Sequence, residues 1–266
     1  MMRKLLILTI ILTIFLLTLG VITSAFGACL GCPDWPLCYG SVLPPETITA
    51  KLEYYHRIFA ALVGILSLVI AISYYKKQKK LSILLMILIT LQILIGGLTV
   101  LLKMPFVISI SHAILGILTY ITLILLLKGN FKFEKNFWTL AFILVFTYYI
   151  WGSIVDKTAS NLACENLLCI SSNFTDTKVI IQLIYQLIGL SIISISLISI
   201  YKFDLKKLIF FILAILLFIL NYLIIKSLLS VSMITIHYLV LLTALSFSLI
   251  NSIKEIELRN LKTLEI

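Results

Sequence analysis

Apolar residues in this chain run in long blocks, and charge appears between the blocks rather than inside them. The period of the pattern is neither 2 nor 3.6: Ile, Leu, Val and Phe fill whole stretches on all sides. A helix covers about 1.5 Å per residue, so about 20 apolar residues cross a ~30 Å hydrocarbon layer. Eight runs have that length, near 5–27, 50–75, 81–102, 106–127, 137–155, 178–200, 208–225 and 231–250. In the second, Tyr54 and Tyr55 open the run and Tyr74 and Tyr75 close it, where interfacial aromatic belts belong. The pattern therefore predicts an all-α integral membrane protein with eight transmembrane helices. The first run reads as one of these helices rather than a cleaved signal peptide. It is longer than a typical h-region, and its removal would leave an odd helix out of the pattern described below.

Composition agrees. The chain of 266 residues is 62% hydrophobic, above the roughly 45–50% of soluble domains, and almost nothing is left for a water-soluble domain. The net charge of +10 would suggest nucleic acid in a soluble protein, but its placement reports orientation instead. Arg3 and Lys4, Lys76 to Lys80, Lys128, Lys132 and Lys135, Lys202, Lys206 and Lys207, and Lys254, Arg259 and Lys262 all fall on one side of the predicted helices. Only Lys51, Arg57, Lys103, Lys157, Lys178 and Lys226 fall on the other. By the positive-inside bias both termini are cytoplasmic, the loops 28–49 and 156–177 face outward, and no nucleic-acid partner is expected.

Two halves share landmarks in the same order. Cys32 and Cys38 answer to Cys164 and Cys169, Glu53-x-x-His56-Arg57 to Gln182-x-x-Tyr185-Gln186, and Ser111-His112 to Ile236-His237, at offsets of about 125 to 132. This predicts two tandem four-helix bundles, residues 1–128 and 137–250, followed by a cytoplasmic tail, 251–266.

The only histidines, His56, His112 and His237, each lie about six residues inside the outer end of an even-numbered helix, ~9 Å deep. Ionisable groups at that depth are functional candidates, and inward side chains at one level of a bundle can share a cofactor. Neutral imidazole suits iron, and a pair on two facing helices can hold a haem from both sides. An interfacial histidine bonded to a carbonyl or headgroup is the bland alternative for any one of them. Glu53 shares a helix face with His56 and Arg57. It is either an ion-pair anchor for Arg57 or an acid aimed at bound substrate. The Glu-x-x-His spacing also occurs in di-iron bundles, but a second such motif is missing. The five cysteines, all in or beside outward loops, fit an oxidising exterior. Pairing Cys32 with Cys38 and Cys164 with Cys169 leaves Cys29, while Cys29-x-x-Cys32 is an alternative redox pair. Structural bonds and labile ones in small exposed loops both remain open. Asn173-Phe-Thr175 is a sequon with no assigned role.

Cys32-Pro-Asp-Trp-Pro-Leu-Cys38-Tyr-Gly40, then Glu53-x-x-His56-Arg57, Gln92-x-x-x-Gly96-Gly97-Leu-Thr99 and Ser111-His112 resemble the haem A synthase family over the whole first half. The resemblance implies oxidation of a haem O ring methyl, by successive hydroxylations, to the formyl group of haem A for terminal oxidases. It implies His56 and His112 as axial ligands, Glu53 beside the reacting methyl, Arg57 paired with a propionate, and a Cys32–Cys38 disulfide. Haem O synthase, a terminal oxidase and an external thiol–disulfide protein are the partners it implies, in the plasma membrane of a prokaryote. Family members of this length usually have a histidine and an arginine where Tyr185 and Gln186 stand, ligating a haem b with the last-helix histidine. Here only His237 remains, so a weakened second site is expected, singly ligated or with Tyr185 near the iron. The alternatives are a membrane thiol/quinone oxidoreductase, which explains the cysteines but ignores the histidines, and a non-catalytic haem-binding assembly protein.

Overall fold

The structure, a computed structural model, describes residues 1–164, 169, 175–201, 204–225 and 230–255. The predicted tail beyond 255, Asn173 of the sequon, and the basic residues Lys202, Lys226, Arg259 and Lys262 lie outside the described residues. Among the described residues, eight helices are long and apolar enough to cross a membrane: α1 (Met2–Ala25), α2 (Ile48–Tyr74), α3 (Lys79–Leu101), α4 (Phe106–Lys128), α5 (Phe137–Thr158), α6 (Thr177–Ser199), α7 (Leu205–Ile225) and α8 (Val231–Ser252).

Local chemistry sets the helix starts. The side chains of Thr47, Asn136, Asp176 and Ser230 accept from backbone N–H groups of the first turns of α2, α5, α6 and α8, satisfying donors that have no partner within the helix. Pro105, which lacks an N–H, precedes α4. Within α1 the hydroxyls of Thr9, Thr13, Thr18 and Thr23 each donate to the carbonyl four residues back, so they are satisfied without water.

In the first unit α1 packs on α2, α2 on α3, α3 on α4, and α4 back on α1; α5 to α8 close a second ring in the same order. The units meet where α1 packs on α8 and α4 on α5, the pairing expected when two like-oriented units meet about an axis along the helices. Tyr120 of α4 and Ser246 of α8 hydrogen-bond across this seam (2.7 Å), and the Tyr149 hydroxyl of α5 donates to the carbonyl of Ala113 in α4 (3.1 Å). The expected tail does not simply leave the bundle. Strand β2 (Ile253–Glu255) continues from α8 and pairs antiparallel with β1 (Phe131–Phe133), in the link between the units.

The buried core is unequal. A large cluster runs through the second unit and the seam, including Tyr148, Tyr185, Leu217 and Leu241. The first unit's own cluster, Leu6, Ile70, Leu85, Leu123 and Leu126 among it, gathers at the end away from the disulfides. It does not extend to the level of His56 and His112.

Candidate functional site

The loop between α1 and α2 is closed on itself by two links and docked on its unit by two more. Cys32 and Cys38 form a disulfide with Cα atoms 4.6 Å apart. The Asp34 carboxylate accepts from the N–H groups of Tyr39 (2.6 Å) and Gly40 (2.7 Å). Those bonds, Gly40's foremost, hold its carboxyl below the usual carboxylate range. The Trp35 ring lies on Gly97 of α3, where an added Cβ would come within 3.1 Å of it.

Arg57 of α2 ties these parts together. Its Nε donates to Glu53 Oε1 (2.9 Å), Nη1 to the carbonyls of Asp34 and Leu37 (2.8 Å each), and Nη2 to the carbonyl of Cys32 (3.0 Å). Of the five N–H groups on a guanidinium, four are committed. The expected pairing of Arg57 with a propionate would rest on the single N–H that remains. Glu53 is buried, with one oxygen on Arg57 and no partner for the other among the described residues.

His56 and His112 stand about two turns inside the disulfide end, on α2 and α4, which are diagonal in their ring. Each ring lies against a glycine: a Cβ at Gly20 of α1 would be 3.1 Å from His56 Cε1, and one at Gly96 of α3 would be 3.0 Å from His112 Cε1. Each Nδ1 is buried without a hydrogen-bond partner among the described residues, whereas Nε2 keeps accessible surface, and the residues are only half-buried. Two deep imidazoles on diagonal helices at one level, with no hydrogen bond to each other or to another polar group among the described residues, are a donor set that fits a haem iron. No group of three or more His, Cys, Asp or Glu side chains able to hold a bare metal ion occurs among the described residues, so the di-iron arrangement has no counterpart there.

The second unit repeats this plan with a different outcome. Gly152 of α5 faces Tyr185 as Gly20 faces His56, the added Cβ falling 3.2 Å from the ring. Tyr185 of α6 and His237 of α8 again occupy the diagonal helices, but they meet: Tyr185 Oη lies 3.2 Å from His237 Nε2. Tyr148 stacks on Tyr185 with ring centres 4.2 Å apart and planes 14° from parallel. Both partners are buried, His237 at 8% exposure. Metal–imidazole bonds are about 2 Å long, so an iron between two ligands needs them about 4 Å apart, with room for the macrocycle. The direct hydrogen bond and the stacked ring do not accommodate that. Gln182 and Gln186, at the positions of Glu53 and Arg57, are also fully buried, and the side-chain amide of Gln182 has no partner among the described residues.

Cys164 and Cys169 form the second disulfide and Cys29 is free. The four bonded cysteines are all buried, which favours the structural bond of the two kinds that the sequence left open. The first turns of α2 and α6 cover the sulfurs, with Ala50 and Tyr54 packing on one pair and Val179 and Leu183 on the other. Burial pushes the Cys29 thiol up. Three features are not evident from hydropathy or motif: the glycines against His56, His112 and Tyr185, the burial of Gln182 and Gln186, and the contact of Lys157 with α1. Gly20 and Gly152 were accessible through the repeat, since they are separated by its offset.

A model of the COX15-CtaA family, described as a cytochrome oxidase assembly protein, matches residues 3–53. A haem A synthase of Bacillus licheniformis is 29% identical over 189 residues, covering 63% of this chain and 63% of the relative. One from Shewanella oneidensis is 30% identical over 205 residues, covering 65% and 62%. A third, from Geobacillus kaustophilus, is 26% identical over 176 residues, covering 58% and 55%. The chain thus spans 55–63% of the length of these curated relatives.

Proposed function

We propose that this multi-pass membrane chain, similar to bacterial haem A synthases and matched by the COX15-CtaA family over residues 3–53, is a member of that family and converts haem O to haem A by oxidising one ring methyl to formyl. The substrate sits in the first unit, residues 1–128, with His56 and His112 on its iron. The observation that carries this reading is the pair of half-buried imidazoles, each seated on a glycine, on diagonal helices at one level.

The chain's own groups then have distinct tasks. His56 and His112 fix the plane and depth of the macrocycle. Glu53, one turn from His56, turns its unbonded oxygen to holding a proton or facing positive charge at the reacting methyl. Arg57 orients Glu53 and holds the disulfide loop over the site, so it is a positioning residue. The loop and the Trp35 ring restrict water at the mouth. The disulfide end faces outward and both termini are cytoplasmic, following the charge bias. The second unit, residues 137–250, takes no haem b, because Tyr185 and His237 bond each other; it buttresses the first unit through the seam.

Supplying haem O to membranes containing the full chain and searching by mass for haem A tests the activity. Formation of haem A, lost in His56→Ala and His112→Ala together with low-spin haem absorption, is the expected result. Haem bound without conversion would leave a non-catalytic assembly protein. Wild-type spectra in both variants would remove the site assignment.

A further inference from the structure

A haem carries two propionates, and a carboxylate is costly in hydrocarbon. With the iron held at the level of His56 and His112, about two turns below the disulfide end, the propionates must reach toward that nearer surface. Among the described residues the cations available there are few. Arg57 is committed to Glu53 and three carbonyls, and Lys51 is paired with Glu46. Lys178 opens α6 in the other unit, and Lys103 follows the end of α3.

Lys157 is placed differently. It lies in the last turn of α5, in the second unit, yet it reaches across the seam, with Nζ 3.0 Å from Ser24 Oγ of α1. Its side chain is only 23% exposed. It also lies 3.3 Å from Asp156 Oδ2, which is itself 3.4 Å from the Ser24 hydroxyl, but that carboxylate is 60% exposed and held loosely by water-screened contacts. Ser24 lies one turn along α1 from Gly20, on the same face, and Gly20 is the residue against which the His56 ring rests, which brings Lys157 to the mouth of the first unit's site. An ammonium has three donors, and after Ser24 and Asp156 one remains.

We propose that Lys157, positioned by Ser24, binds a propionate carboxylate of the haem held in the first unit, so that the substrate site is completed by the other half of the chain. The inference rests on the haem reading of His56 and His112. It gives the second unit a part in substrate binding that needs no haem of its own, and it gives a task to a lysine that crosses the seam.

The test uses the purified full chain in nanodiscs, titrated with ferric iron protoporphyrin IX and with its dimethyl ester, following the low-spin Soret band. The two probes share iron and macrocycle and differ in propionate charge. Lys157→Met should weaken binding of the free acid roughly ten-fold, the scale of one charge-assisted hydrogen bond. Binding of the diester should stay unchanged, and Lys157→Arg should recover most of the loss. Lys178→Met should bind both probes as the wild type does. Equal weakening of both probes by Lys157→Met would show that the lysine only holds the seam, and no weakening would place the carboxylate elsewhere; either overturns the proposal while leaving the haem site standing. Absence of low-spin haem in the wild type would overturn both.

Discussion

Arg57→Ala separates a loop clamp from a ligand for substrate. The substitution removes three hydrogen bonds from a guanidinium to the carbonyls of Cys32, Asp34 and Leu37, and one to Glu53. Hydrogen bonds to charged groups contribute about 1.5–3 kcal/mol each, but they share one side chain and water replaces part of what is lost. Glu53, with its side chain 7% exposed, is left without a counter-charge. Together these set the cost of undocking the loop at about 2–4 kcal/mol rather than the sum of the bonds. Reduction of Cys32–Cys38 requires that undocking, since both sulfurs are buried. If opening and reclosing are fast, the reduction rate follows the open population and rises roughly 30- to 1000-fold. The assay is reduction by a small dithiol in nanodiscs, with alkylation and mass detection; Cys164–Cys169 is an internal reference that should not change. Arg57→Lys should fall between, because an ammonium cannot reproduce the planar fork. A Cys32–Cys38 rate in Arg57→Ala within three-fold of wild type would refute the clamp.

Three further outcomes follow from other contacts. Gly96→Ala places a Cβ 3.0 Å from His112 Cε1 and should cost about 1–3 kcal/mol of overpacking with loss of low-spin haem, whereas Gly64→Ala, whose Cβ meets only Ile89 at 4.0 Å, should bind as wild type; equal haem binding in both would remove the glycine seat. Tyr185→Phe takes the hydroxyl from the buried His237 and should lower stability by about 1–3 kcal/mol in a thermal scan without changing haem per chain, and a fall in haem content in Tyr185→Phe or His237→Ala would restore a second haem site. Asp34 has its pKa depressed in the folded loop, so its contribution is present above the unfolded carboxylate value of about 4 and is lost as pH falls through the lower folded value; Cys32–Cys38 should therefore become easier to reduce only in strong acid, and a step near neutral pH would contradict this.

The eight helices were legible because lipid imposes a rule that composition alone expresses: each span needs about 20 apolar residues, and charge collects at the ends. Observed ends shift by a few residues from the expected ones, as at Met2 and Ile48, because side-chain caps and snorkelling lysines do not register in hydropathy. The two-ring plan was also legible, through landmarks spaced at a repeat offset. His56, His112 and Glu53 could be singled out because polar groups are rare at that depth.

Which of those groups stay apart and which meet was decided by packing. The sequence by itself determined a membrane solvent, eight spans, a duplicated order of landmarks and a short set of polar residues within them. Only the tertiary structure decided that Arg57 spends its fork on loop carbonyls, that Tyr185 and His237 close on each other where His56 and His112 do not, and that Lys157 crosses from one unit to the mouth of the other. The reason is range: burial and hydropathy are read locally along one helix, whereas hydrogen bonds and close ring contacts depend on which faces of separate helices the closed rings bring within 3 to 4 Å.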